Sequence, residues 1–302
     1  MKKAVKIALP ILLIGLILIT QTTKGVYQVS IGNTYVYDVI ESSMNVTFGI
    51  NSTDNQGFEI DGQYFNPGNS VTLNVTDVQP TDVTYNISAG AYSEIDQSDL
   101  SDLSALFYYM IAPIFTVKII STLQWNDTII ADTFHENILM KPFLSVEADT
   151  WDDWIDVVNG INNNGTILSE TYSNGFAIEA SYYNTTTDFV FEFLLTGVID
   201  EVYVTGPKSS ILNMTIDHQY QFAYTKATGV MLGMRMEGDV SGTANGTIFE
   251  YSYNYHTEQQ GYDLPSYQLG GPTWPFLGFE YLIALGALGT LTTIMVLVRR
   301  RK

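Results

Sequence analysis

The sequence predicts a mainly β (α+β) protein: large antiparallel sheet or sheets, as a sandwich or half-barrel, with two amphipathic helices and a C-terminal transmembrane helix. Three observations predict it. Aromatic and β-branched residues alternate with polar ones at period two through much of 26–258. Two segments break that rhythm with apolar residues at helical spacing. The 302-residue chain then ends in a 23-residue apolar stretch, Phe276–Val298, followed by Arg299–Lys302.

In chain order, Lys2, Lys3 and Lys6 precede the 13-residue apolar run Ile7–Ile19 and polar Thr20–Lys24. A short apolar core behind a basic start is the layout of a signal peptide or N-terminal anchor over 1–25, and is short for a bilayer span. No Ala-x-Ala site follows; Thr20-Gln21-Thr22 and Thr23-Lys24-Gly25 are the nearest small-residue cleavage candidates. Tyr35, Tyr37 and Val39 share one face of a first strand. Leu100, Leu103, Leu106, Phe107, Met110, Ile111 and Ile114 recur at helical spacing after Ser98 and Asp99. Trp151, Trp154, Ile155 and Val158 repeat that spacing after Thr150, with Asp153 completing a capping-box-like start and Gly160 as the stop.

The later strands carry the clearest alternation. Phe189, Phe191, Phe193 and Leu195 fall on one face, as do Tyr220, Phe222 and Tyr224. Phe249, Tyr251, Tyr253 and Tyr255 do likewise, with Glu250, Ser252, Asn254 and His256 opposite. A meander over roughly 211–225, 229–241 and 246–258 follows, turning at Thr225–Gly229 and at Asn245-Gly246. Gln259–Trp274, with two prolines and three glycines, reads as a short stalk between the extracellular domain at 26–258 and the membrane helix at 275–298. From Tyr281 to Val298 run 18 uncharged residues, roughly 27 Å of helix. Trp274, Phe276, Phe279 and Tyr281 form the outer aromatic belt, and 299–302 stays cytoplasmic under the positive-inside rule. Gly286 and Gly289 offer small residues for helix pairing.

Charge supports this topology. The net charge is −19, yet eight of the 13 basic residues cluster at the two ends. Between Val26 and Trp274 only Lys118, Lys141, Lys208, Lys226 and Arg235 oppose 31 acids. Such a surface repels nucleic acid. The absence of cysteine excludes disulfide scaffolds, thiolate metal sites and a cysteine nucleophile. Nine Asn-x-Ser/Thr sequons, at Asn45, Asn51, Asn74, Asn86, Asn126, Asn164, Asn184, Asn213 and Asn245, predict N-glycosylation. The 19 asparagines would give about three by chance.

No Gly-x-Ser-x-Gly, His-Glu-x-x-His, phosphate-loop or dinucleotide motif occurs, so no catalytic residue and no cofactor is expected. His218 and His256 read as a surface pair meeting across strands. The clusters Glu94/Asp96/Asp99/Asp102 and Asp152/Asp153/Asp156 both read as helix N-terminal carboxylates that favour the macrodipole. Weak calcium binding there, outside the cell, is the one ion expectation. The aromatic residues either fill a core or line an apolar cavity beneath the two helices. In the second case Phe189, Phe191, Phe193, Trp151, Trp154, Leu106 and Met110 form a face for a lipid or other hydrophobic ligand.

Gly32-Asn33-Thr34-Tyr35-Val36-Tyr37-Asp38-Val39 and Tyr224-Thr225-Lys226-Ala227-Thr228-Gly229-Val230-Met231-Leu232-Gly233-Met234, with the C-terminal anchor, resemble the choice-of-anchor cell-surface families of Asgard archaea, type S in particular. The end of the chain is similar to archaeal sorting tails; Pro275-Phe276-Leu277-Gly278-Phe279-Glu280 keeps Gly-Phe without the adjacent Pro that such tails carry. The layout loosely resembles lipoprotein-carrier half-barrels. The resemblance to surface proteins implies no reaction. It implies a non-enzymatic, membrane-anchored glycoprotein for adhesion, envelope structure or recognition, with surface-layer or other cell-surface partners. The alternative is an extracytoplasmic lipid carrier, and the third reading is an extracellular hydrolase using scattered carboxylates.

Overall fold

The computed structural model describes residues 26–99, 138–171, 177–205 and 208–269. The described residues are mainly β, with a large antiparallel sheet and one helix. The strands are β1 (Thr34–Phe48), β2 (Asn51–Gln56), β3 (Phe58–Ile60), β4 (Gln63–Phe65), β5 (Ser70–Val78), β6 (Asp82–Ala89), β7 (Tyr92–Asp99), β8 (Ala177–Asn184), β9 (Asp188–Thr205), β10 (Lys208–Thr225), β11 (Met231–Ala244) and β12 (Thr247–Gln259). Helix α1 spans Thr150–Thr171. Ten strands form one sheet in the order β7-β6-β5-β1-β12-β11-β10-β9-β8, with β2 added to β1 and β3–β4 as a separate hairpin.

Two meanders, β5–β7 and β8–β12, meet at β1. One edge of β1 pairs with β12 from Tyr37↔Gln259 to Phe48↔Phe249. Its other edge is shared: Thr34–Asp38 pair with β5 and Ser43–Phe48 with β2. Between those partners the backbone of Val39 and Ser42 bonds loop residues Asn69, Gly68 and Gly57 instead, so no buried ladder group is stranded there. A bulge between Val39 and Glu41 keeps both Val39 and Ser42 inward and turns Ile40 out.

The predicted meander lies where alternation puts it. On β10, Leu212, Met214, Ile216, Tyr220, Phe222 and Tyr224 are buried, while Ile211, Asn213, Thr215 and Asp217 are exposed. Asn245 and Gly246 adopt φ of 53° and 79°, the left-handed pair that a two-residue type I′ hairpin requires. Gly229, at φ 67°, closes the β10–β11 loop, and its N–H reaches Thr225 O at 2.8 Å. The chain before α1 packs onto that loop. Leu144 N–H donates to Gly229 O at 2.8 Å, and the Phe143 ring meets Tyr35 of β1 and Tyr85 of β6 at 5.6 and 5.4 Å. Phe143 also bridges Val230, at the start of β11. In a flat sheet β6 and β11 would be about 19 Å apart, so the sheet bends around this ring.

Two expectations about helices need correction. Helix α1 does not stop at Gly160 but runs to Thr171. Glycine costs a helix about 1 kcal/mol relative to alanine. Here Ile161 is buried, and the Asn162 amide pairs with the Ala180 backbone of β8, donating to its carbonyl at 2.8 Å and accepting its N–H at 3.0 Å. Those contacts outweigh one glycine. The start also differs from a Thr150 capping box: the Thr150 hydroxyl accepts the N–H of Glu147 at 2.7 Å, and Asp149 supplies the carbonyl for Asp153 N–H at 2.9 Å. The helix predicted over Leu100–Ile114, including Leu106 and Met110, lies outside the described residues, as do 1–25 and 270–302.

Candidate functional site

The two faces of the sheet differ in chemistry. Cross-strand register assembles the inner face into rows. Tyr182–Phe191–Phe222–Met234 forms one, and Ala180–Phe193–Tyr220–Met236–Tyr255 the next. Helix α1 lies on this face. Trp151 sits 5.2 Å from Phe189 and Trp154 5.0 Å from Phe191, centroid to centroid, and Phe189, Phe191, Phe193 and both tryptophans are buried. Trp151 Nε1–H donates to Lys226 O at 3.1 Å, whereas Trp154 Nε1–H is buried with no acceptor. The structure thus brings together the five described members of the predicted aromatic face and covers them with the helix that supplies two of them.

The next inner row holds Leu195, His218, Gly238, Tyr253 and Met44. His218 is fully buried, which corrects its placement as a surface residue. Nor does it meet His256, which lies two strands away on the opposite face. The signal was its parity: His218 falls in phase with Met214, Ile216, Tyr220 and Phe222. Tyr253 Oη bonds the imidazole, 2.9 Å from Nε2, and also donates to Tyr220 Oη at 3.1 Å; Tyr220 Oη lies 3.1 Å from Nε2. Gly238 makes the space, because a Cβ there would sit on His218 Nδ1 and 2.6 Å from Tyr253 Oη. Burial lowers the His218 pKa from 6.5 to about 3, so the ring is neutral, and it raises the phenols of Tyr220 and Tyr253. Three polar groups here satisfy one another inside an aromatic layer.

The outer face is crossed by residues 260–269, the first part of the segment that reads as a stalk. Gln260 N–H donates to Val36 O at 2.9 Å, and its side chain reaches Asp38 at 3.0 Å. Ser70 also donates to Asp38, and these two bonds hold its carboxyl below the usual range. Leu264 then drops into the notch left by Gly233, beside buried Ala223 and Val190, and its N–H donates to Glu258 at 2.9 Å. Tyr267 lies over Arg235, 5.3 Å from the guanidinium carbon. The strap ends on Glu192. This carboxylate is 3% exposed and accepts the backbone N–H groups of Gln268 and Leu269 at 2.8 Å, the Gln219 amide at 3.0 Å and the Ser181 hydroxyl at 3.3 Å. Four donors onto one buried anion form a charge-assisted anchor. Periodicity places Glu192 in solvent; the strap that buries it has no period to read.

The predicted sites elsewhere fall as follows. Asn45, Asn51, Asn74, Asn184, Asn213 and Asn245 are exposed and Asn86 is half-buried; Asn164 lies in α1 and Asn126 outside the described residues. Glu94 and Asp96 lie on edge strand β7 rather than at a helix start; Asp96 accepts the Tyr85 hydroxyl at 2.8 Å. Asp152 and Asp153 do occupy the first turn of α1. Among the described residues no group of three or more His, Asp and Glu could hold a metal ion, and no helix is long and apolar enough to cross a membrane. No protein-family model, curated protein or solved structure matches the chain.

Proposed function

We propose that the chain is a non-enzymatic, membrane-anchored cell-surface glycoprotein that serves adhesion, envelope structure or recognition through surface-layer or other cell-surface partners. The observation that carries this reading is the placement of the sequons. A strand facing a core on one side hides about half of its positions, yet none of the seven sequon asparagines with a described environment is buried. The basic ends, the 23-residue apolar stretch and the acidic middle support the same topology. On this reading 1–25 directs export, the described sheet and a second helix near 100–114 form a half-barrel-like ectodomain, and 275–298 holds it in the cell membrane. Enzymatic removal of N-glycans from the full chain should increase its gel mobility, and an unchanged mass would sink the glycoprotein reading. A tag after Lys302 should resist protease added outside intact cells; its loss would reverse the topology.

A second reading, hydrophobic-ligand carriage, draws on one observation: a helix laid along the aromatic face of a single large sheet. Native mass spectrometry of the full chain separates the two. A co-purifying lipid lost in Trp154→Asp or Phe191→Asp would favour carriage, and a ligand-free mass favours the surface role.

A further inference from the structure

The exposed apolar residues of this domain are not scattered at random among its sequons. At the end of the sheet that carries the β1–β2 and β11–β12 turns, Ile50 is 100% exposed, Ile211 61% and Ile248 55%. Ile50 precedes Asn51 in the chain. Ile211 and Asn213 alternate on the outer face of β10, about 7 Å apart, and the Ile211 N–H donates to Asn245 Oδ1 at 2.8 Å. Asn213, Thr243 and Ile248 form one cross-strand row, which leaves Asn213 and Ile248 about 10 Å apart. Elsewhere on the sheet, Ile95 on edge strand β7, 77% exposed, pairs directly with Asn86. Asn45 and Asn74 have polar neighbours instead: Asp54 and Ser252 flank the first, Thr34 and Asn86 the second.

We propose that glycans on Asn51, Asn213 and Asn245 are structural covers for this apolar sheet end, keeping it from associating with a second copy of the chain. The inference rests on the glycoprotein reading and adds a role for particular sites. The chemistry is direct. Exposed isoleucines at hairpin tips form a contiguous apolar patch that favours association. The stretches 47–53 and 243–249 hold no charged residue to oppose it. A sugar linked to each asparagine places hydroxyl groups outward and its C–H faces against the isoleucine side chains. Asn245 needs its own side chain for the turn, so its Oδ1 stays bonded to Ile211 while Nδ2 is the atom that carries the sugar.

The test uses the full chain in mild detergent, produced in a cell line that glycosylates Asn-x-Ser/Thr. One variant removes the three sites by Asn51→Gln, Asn213→Gln and Thr247→Ala, the last sparing Asn245 and its turn. A control variant carries Asn45→Gln and Asn74→Gln. Sedimentation should show self-association about tenfold tighter in the first variant than in the control. Adding Ile50→Ser, Ile211→Ser and Ile248→Ser to the first variant should return it to the control value. Equal association in the two variants, or no reversal by serine, overturns the proposal. So does glycopeptide mass spectrometry that finds sugar on Asn45 and Asn74 with Asn51, Asn213 and Asn245 bare. A chain with no sugar at any sequon instead removes the glycoprotein reading beneath it.

Discussion

His218 links packing to pH through a single proton. Its folded pKa, about 3, lies below its ordinary 6.5 because the buried ring cannot be hydrated as a cation. The unfolded chain therefore binds the proton more readily. Stability from this group is complete above pH 6.5 and is lost as pH falls towards 3, by about 1.4 kcal/mol per unit. Thermal melts at pH 7 and pH 4.5 should show a larger drop for the native chain than for His218→Gln. Equal drops would mean that protonation elsewhere dominates. Opposite the ring, Gly238→Ala pushes a methyl into His218 and Tyr253, a clash worth about 1–3 kcal/mol. Urea unfolding should show that loss, and an unchanged midpoint would mean that the cluster moves aside freely.

At the scale of elements, the strap is the least obvious part of the fold and the easiest to disturb. Glu192→Gln keeps the shape but removes the charge that four donors converge on, so residues 260–269 should loosen at a cost of about 2 kcal/mol. Limited proteolysis should cut the variant between Gln259 and Leu269 where the native chain resists; equal resistance would show that Leu264 and Tyr267 suffice. Alternation in 188–195, 211–225 and 246–258 was enough to place β9, β10 and β12 with their buried faces, because period two survives wherever one face meets a core. The Asn-Gly turn was legible for the same local reason. Three features were not legible. The strap has a composition rich in Gly and Pro and no period, so it reads as a stalk although it packs. Gly160 reads as a stop because the compensating bonds of Asn162 come from β8, which follows the helix in sequence. His218 was set on the wrong face because residue type was given more weight than parity. Each failure is a tertiary contact overriding a local signal.

Over the whole molecule the decisive connection is β1, which joins both meanders and pairs with the last strand. Truncation after Asn245 removes β12 and leaves the long edge of β1 open, with Val46, Met44 and Val39 no longer facing Tyr251, Tyr253 and Thr257. Such a chain should yield no protease-resistant core, and a stable fragment would mean that the β5–β7 meander folds independently with β1.

The same pairing fixes a time order. Tyr37 waits for Gln259, a partner 222 positions downstream, and at about 5–20 residues per second of synthesis that is a delay of at least about ten seconds. A chain passing outward in sequence order presents an aromatic strand that cannot yet be zipped along its longer side. Long-range pairings of this kind fold slowly. The demand on whatever receives the emerging chain therefore falls at the start of export, when β1 is out and its partner is still unmade.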